Sequence, residues 1–244
     1  MAGSDDDAGE PLFPPLLSGE ATDADPLAVA VERAEAGTDA GLIVHRIRPD
    51  HLKAAIVFAP EVALTDAMAM AIAAANGFGD AFGALAPSEI AAHFDWPGGF
   101  RINGARCGGL RAAASTNDPD TVPDWLVIAI DVPFFRDADY EPGDAPDETT
   151  LWEEGCAEIE PRRLLESWSR HLLVAINAWE EGGLRPLHAD WCGRAFHLGK
   201  EVGFTLGGTR YEGQFAGLDE KGGMVLKSAD GSRILPLTLM LEDV

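Results

Sequence analysis

Trp96-Pro97-Gly98-Gly99-Phe100-Arg101-Ile102-Asn103-Gly104-Ala105-Arg106-Cys107-Gly108-Gly109-Leu110 is the stretch that decides how this chain is read. Asn103-Gly104 separates two short strand-forming runs, and a type I′ turn needs φ > 0 at both central positions, which Asn and Gly tolerate best. The stretch therefore reads as a β-hairpin with Arg106 on its return strand. It also lies in an acid-free segment. Between Asp95 and Asp118 there are 22 residues carrying Arg101, Arg106 and Arg111 and no carboxylate, where 41 acids in 244 residues would place about four.

Upstream of the hairpin, Asp25 as N-cap, Pro26 at the first helical position and Gly37 at the end predict a helix. Short β-rich runs follow at 42–48 and 54–59, split by Pro49-Asp50. An Ala/Met-rich helix, buried nearly all round, is expected from about Thr65 to Asn76-Gly77. Downstream, 125–132 reads as a central strand, apolar until Asp131. Residues 137–160 hold ten acids and no Lys or Arg, which predicts a solvated loop or flap. A long helix over about 161–181 is stopped by Gly182-Gly183. The last stretch carries short strands at 200–206, 211–218, 224–227 and 234–239 between Gly- and Asp-rich turns, the pattern of a small barrel. The expected fold is α+β. An acidic, Pro-rich arm (1–24) precedes a mixed sheet with flanking helices (25–192) and a small C-terminal β-barrel (195–244).

Lys+Arg 18 against Asp+Glu 41 leaves a net charge of −23. That balance argues against nucleic-acid backbones and anionic membrane surfaces as partners. Hydrophobic residues at 46% are enough for a packed core. With no run of about 18 apolar residues, a spanning helix is not expected. The first ten residues carry Asp5, Asp6, Asp7 and Glu10 and no base, opposite to a secretion signal, so a cytoplasmic location is expected. Cys107, Cys156 and Cys192 are odd in number and without metal-ligand spacing; they read as buried inert thiols, and no metal site is expected.

Arg46 and Arg48 are two apart, so on a strand they share a face. Two arginine groups in so acidic a chain suit a phosphate or carboxylate ligand. The same arginines could equally be matched by the surplus of surface acids, and spacing alone leaves both readings open.

The hairpin resembles the signature hairpin of the biotin/lipoate protein ligase family, in which Trp-Pro-Asn-Asp precedes a strand, a turn, a catalytic lysine and a Gly-containing return strand. Val127-Ile128-Ala129-Ile130-Asp131-Val132 resembles the strand that family writes Gly-Ile-Gly-Ile-Asn-Val. Gly199-Lys200-Glu201-Val202, Tyr211-Glu212-Gly213 and Gly223-Met224-Val225-Leu226 resemble the SH3-like domain that ends bacterial biotin–protein ligases. The three blocks occur in the family order over about residues 25–240. The resemblance implies a ligase-like mixed sheet plus an SH3-like barrel, with ATP and biotin (or lipoate) as substrates and a carrier-protein lysine as acceptor. It leaves Mg²⁺ dependence and oligomeric state open. Such chemistry needs cations where phosphates crowd and a closed apolar slot for the acid.

By the same resemblance Arg106 falls at the catalytic lysine, a swap that keeps charge but changes shape. Gly108 and Gly109 fall where backbone approaches the ligand, and Asp131 stands where the family has Asn. Trp96-Pro97 match, whereas Gly98-Gly99 replace the Asn-Asp pair associated with nucleotide and Mg²⁺. The family's Gly-Arg-rich loop is missing, so Arg46, Arg48 and Arg111 are read as auxiliary cations. Beside these roles stand plainer ones: Arg106 as an exposed hairpin arginine, Gly109 as a bulge or strand-crossing glycine, Asp131 as a strand-end cap, Trp96 as core. Two functions follow: an ATP-dependent carrier-protein ligase, or a ligand-binding or regulatory relative that has lost adenylation.

Overall fold

In the computed structural model, which describes residues 9–136, 145–229 and 231–242, Asn103 (φ 50°) and Gly104 (φ 96°) both take positive φ, so the hairpin forms as its turn chemistry requires. In chain order the elements are β1 (Ser18–Ala21), α1 (Pro26–Glu35), β2 (Leu42–Ile47), β3 (His51–Phe58), α2 (Leu64–Ala67), α3 (Ala69–Leu85), β4 (Ala92–Asp95), β5 (Gly99–Ile102), β6 (Ala105–Ala114) and β7 (Leu126–Pro133). After them come α4 (Pro161–Gly182), α5 (Leu184–Arg194), β8 (Glu201–Leu206), β9 (Thr209–Leu218), β10 (Met224–Ser228) and β11 (Gly231–Leu235).

Strands β1–β7 form one mixed sheet in the order β1-β2-β3-β7-β6-β5-β4. Only β1 and β2 run parallel; the other neighbours are antiparallel. Strand alternation assigns the two faces. On β7, Leu126, Ile128, Ile130 and Val132 enter the larger core with α3 and α4. Val127 and Ala129 point the other way, onto Leu27, Ala30 and Val31 of α1. Asp131 continues that second face.

The Ala-rich α3 is buried against α4. A Cβ on Gly77 would lie 3.0 Å from the Leu172 backbone nitrogen, so the two helix backbones approach closely there. This explains why α3 runs on to Leu85 instead of stopping at Asn76-Gly77: the glycine serves helix packing, and buried Asn76 donates to the Leu187 carbonyl at 2.9 Å. The stretch Leu64–Leu85 is long and apolar enough to cross a membrane by length and composition, contrary to the expectation that no such run exists. In this fold 78% of that window is buried inside the protein.

The arm docks through Phe13 and Leu17. β1 pairs with β2, and the Phe13 ring lies 6.0 Å from that of His45, because the arm's apolar residues find the sheet edge. Of the acidic segment, 137–144 lies outside the described residues. The remainder docks: Leu151 and Cys156 are buried, and Arg136 pairs with Glu153. The C-terminal strands form a four-stranded antiparallel sheet, β11-β10-β9-β8, which does not close into a barrel. Its inner side chains pack on the larger domain instead, Phe204 on Trp96 and Phe215 on Trp191. The predicted strand at 234–239 breaks at Pro236 into a 3₁₀ turn, Leu237–Met240, and Glu242 N then donates to the Ala112 carbonyl on β6 at 2.8 Å.

Candidate functional site

Residues directly opposed on neighbouring strands share a face. Arg46 on β2 opposes Lys53 on β3, Lys53 opposes Asp131 on β7, and Asp131 opposes Gly109 on β6. These four therefore form one row on the α1 side of the sheet. In the adjoining row, Arg111 opposes Ala129.

Asp131 is the centre of the row. Its Oδ2 lies 2.6 Å from Lys53 Nζ, and its Oδ1 is hydrogen-bonded to His51 Nε2. Burial alone would raise the carboxyl, but the hydrogen bonds from His51 and Lys53 outweigh it and hold the group below the usual carboxylate range. Arg111 is fully engaged. Its Nε and Nη2 donate to the two Glu242 oxygens at 2.7 Å each, and its Nη1 donates to Asp25 Oδ2 at 2.8 Å. The bonds to Glu242, reinforced by Asp25 and opposed by burial, push the guanidinium above its ordinary value. Arg111 thus ties the start of α1 and the C-terminal segment to β6.

Arg46 donates through Nη1 to main-chain carbonyls, Asp23 at 3.3 Å and Ala24 at 3.5 Å. Arg48 sits 3.8 Å from the exposed Asp23 carboxylate. A hollow of about 320 Å³ lies between these arginines and Ala21, Thr22 and His45.

Arg106 stands apart from that end. With strands about 4.8 Å apart, the three spacings from β2 to β6 separate the two strands by about 14 Å. Its backbone is braced on both sides, by the Asp147 carbonyl at 2.8 Å and the Thr149 amide at 2.7 Å. Its side chain is exposed and has no ion-pair partner among the described residues. It borders a cavity of about 300 Å³ between the hairpin and the C-terminal sheet, with Asp95, Arg101, His197 and Phe204 on the walls. Arg101 is held by the Asp95 carboxylate and by the Gly104 carbonyl at 2.6 Å, and stacks over Phe196. Trp96 is 7% exposed and donates through Nε1 to the Gly222 carbonyl at 3.1 Å, joining the two sheets.

Both glycines have a local structural reason. Gly108 has φ 80°, and a Cβ there would fall 1.9 Å from the Asp131 carbonyl oxygen. At Gly109 a Cβ would meet the Gly98 carbonyl at 2.7 Å. The structure thus places Arg46, Asp131 and Gly109 in one row across β2, β7 and β6, with Arg111 in the adjoining row, Gly108 next to Gly109 and Arg48 just past the end of β2. It sets Arg106 nearer the hairpin turn and buries Trp96 behind it.

Lys53 and His51, which continue the basic stretch His45-Arg46-Ile47-Arg48 in the sequence, complete the region together with Asp25 and Glu242, which the sequence did not single out as site residues. A signal existed for Lys53: it interrupts the apolar run of β3 just as Asp131 interrupts β7, with opposite charge.

The biotin/lipoate A/B protein ligase family model matches residues 13–193, and the biotin protein ligase C-terminal domain model matches 197–237. The chain belongs to the biotin/lipoate A/B protein ligase family. A biotin–[acetyl-CoA-carboxylase] ligase of Paracoccus denitrificans is 25% identical over 186 residues, 74% of this chain and 75% of that protein. A biotin protein ligase-like protein of unknown function from Silicibacter sp. TM1040 is 49% identical in its crystal structure. That structure has a TM-score of 0.88 and covers 96% of this chain and 100% of its own. The biotin protein ligase of Aquifex aeolicus shares the fold at 16% identity, TM-score 0.70, over 92% of this chain and 96% of its own.

Against the family pattern, the strand glycines of Gly-Ile-Gly-Ile-Asn-Val become Val127 and Ala129, 0% and 5% exposed under α1. At the Asn-Asp position, Gly98 and Gly99 bring no ligating oxygen side chain, and a Cβ on Gly98 would press on Leu110 at 2.9 Å. These positions do not fit a Mg²⁺ ion.

Proposed function

We propose that this protein is an ATP-dependent ligase that adenylates a carboxylic acid of the biotin/lipoate type and passes the acyl group to a carrier-protein lysine. The observation that carries the reading is Arg106. It is an exposed guanidinium with no ion-pair partner among the described residues, at the position that the resemblance gives to the family's catalytic lysine, with its backbone fixed on both sides and on the same sheet as the Arg46–Lys53–Asp131–Gly109 row.

In the first step a carboxylate oxygen attacks the α-phosphorus of ATP; the new P–O bond forms as the α–β bridging bond breaks, and pyrophosphate leaves. Arg106 would meet the charge that develops on the α-phosphate, already oriented by its braced strand. The row would hold the acid, with Lys53 held in place by Asp131. In the second step the carrier lysine amine attacks the acyl carbonyl, a C–N bond forms, the C–O bond to phosphate breaks, and AMP leaves with loss of one amine proton to solvent.

A second reading, binding without adenylation, is favoured by Arg111, whose charge Asp25 and Glu242 already consume, so it does not replace the missing Gly-Arg-rich loop. ATP–pyrophosphate exchange separates the two. Ligase chemistry predicts acid-dependent exchange that Arg106→Ala lowers by about 10²-fold or more, the usual cost of one preorganised charge donor. Absence of exchange with every acid, together with a raised melting temperature for one of them, supports the binding-only reading.

A further inference from the structure

Arg46, Arg48 and Arg111 are matched within the chain, and one short connection meets all three. Residues 22–25 join β1 to α1. Arg46 holds this connection through the Asp23 and Ala24 carbonyls at 3.3 and 3.5 Å, and Arg48 stands 3.8 Å from the Asp23 carboxylate. Arg111 holds it through the Asp25 carboxylate at 2.8 Å while gripping Glu242 as well. Asp25 immediately precedes α1, where a carboxylate ordinarily accepts from the amides of the first turn. It makes no such cap bond, and its Oδ2 goes to Arg111 instead.

Of these contacts only the Asp25–Arg111 bond is short, and the Asp23 carboxylate is fully exposed. Water screens such partners, so the grip on the connection is weak. The helix behind it is anchored separately. Leu27, Ala30 and Val31 pack on Ala113, Val127 and Ala129, and Arg33 pairs with Glu20 at 2.6 Å. The connection can therefore lift while α1 stays seated. A phosphate group competes well for the same donors, because guanidinium forks bind its oxygens in pairs. We infer that residues 22–25 form an autoinhibitory strap, whose carbonyls and carboxylates occupy Arg46, Arg48 and Arg111 until a phosphate-bearing ligand displaces them. This rests on the ligase reading for the arrival of a phosphate at this face and adds the contact that regulates its entry.

Titration calorimetry with inorganic pyrophosphate on the full chain tests the strap. Asp25→Asn removes the charge on Arg111 and keeps the side chain's shape. It should tighten pyrophosphate binding about tenfold, the low end for a charge-assisted bond between partly exposed groups. Glu20→Gln makes the same change of charge and cuts the Arg33 tether of α1 without touching the three arginines, so the affinity should stay unchanged. Hydrogen exchange on the unaltered protein is the second readout and needs no variant to fold. The Thr22 and Val29 amides donate to the His45 and Asp25 carbonyls at 2.9 and 3.1 Å. Saturating pyrophosphate should speed their exchange as the strap lifts. An affinity unchanged or weakened by Asp25→Asn, an equal gain in Glu20→Gln, amide exchange that slows or stays constant, or no pyrophosphate binding to any form overturns the inference. Acid-dependent ATP–pyrophosphate exchange without these changes would leave the ligase reading standing and remove the strap. The strap's signature in a protein that shows no ATP–pyrophosphate exchange would do the reverse.

Discussion

Asp131→Asn restores the amide that the family strand carries and removes the carboxylate that binds Lys53 and His51. Asn matches Asp in volume, so no cavity term enters, and the whole effect falls on the two broken charge interactions. Hydrogen bonds to charged groups contribute about 1.5–3 kcal/mol when well buried. Side-chain exposures of 27% for Asp131, 25% for Lys53 and 31% for His51 reduce this by solvent screening. A net loss of about 1–2 kcal/mol at pH 7 is then expected. In a chain of this length each kcal/mol moves Tm by roughly 2–4 °C, so the variant should melt about 2–8 °C lower. The carboxyl is held below its ordinary value of 3.8 in the folded state. Its stabilisation is therefore complete above that value and disappears as pH falls through the lower folded one. Circular-dichroism melts at pH 7, 5, 4 and 3 should show the two proteins converging at the acidic end. A difference that stays constant across this range, or a variant that melts higher at pH 7, would refute the assignment of the ion-pair cluster.

Further outcomes follow from the same packing. Val127→Gly removes a fully buried side chain and should cost about 2–4 kcal/mol by denaturant midpoint. It should also tighten biotin binding by calorimetry, and unchanged biotin affinity would mean that Val127 does not occupy the slot. Gly108→Ala drives a Cβ onto the Asp131 carbonyl from a positive-φ position and should destabilise by at least about 1–3 kcal/mol or block folding, read by soluble yield and melting. Burial raises the Cys107 thiol to about 12 and Cys156 to about 11. Native protein at pH 8 should therefore leave both unreacted with a thiol reagent that titrates them in denaturant; rapid native labelling of Cys107 would contradict the burial.

Local chemistry made much of the fold legible. Asn103-Gly104 can satisfy a double positive-φ turn, Asp25-Pro26 starts α1, and the apolar alternation of 126–132 places a central strand. The failures have a common cause: tertiary packing overrode local signals. Gly77 reads as a helix stop but serves close approach to α4. Ser18–Ala21 has no strong strand pattern and becomes β1 because the edge of β2 is available. The C-terminal strands carry barrel-like turns, yet Trp96 and Trp191 of the larger domain take the place of a closing sheet.

The site was legible in part for the same reason. Arg46 and Asp131 stood out by charge in apolar runs, whereas their meeting through Lys53 depends on β3 lying between β2 and β7. Glu242 reaches Arg111 only because the chain returns to Ala112 after β11. Spacing left Arg111 equally open to a ligand or to carboxylates, and the fold supplies two carboxylates.

The most direct test is a crystal structure of the protein with a non-hydrolysable acyl-sulfamoyl-adenosine analogue. The sulfamoyl group, standing in for the phosphate, should lie within hydrogen-bonding distance of Arg106, with the acyl chain running over Asp131 and Lys53. Density for the analogue elsewhere, for example in the cleft of about 860 Å³ beside Met70 and Trp179, with the Arg46–Lys53–Asp131 row left bare, would contradict the account.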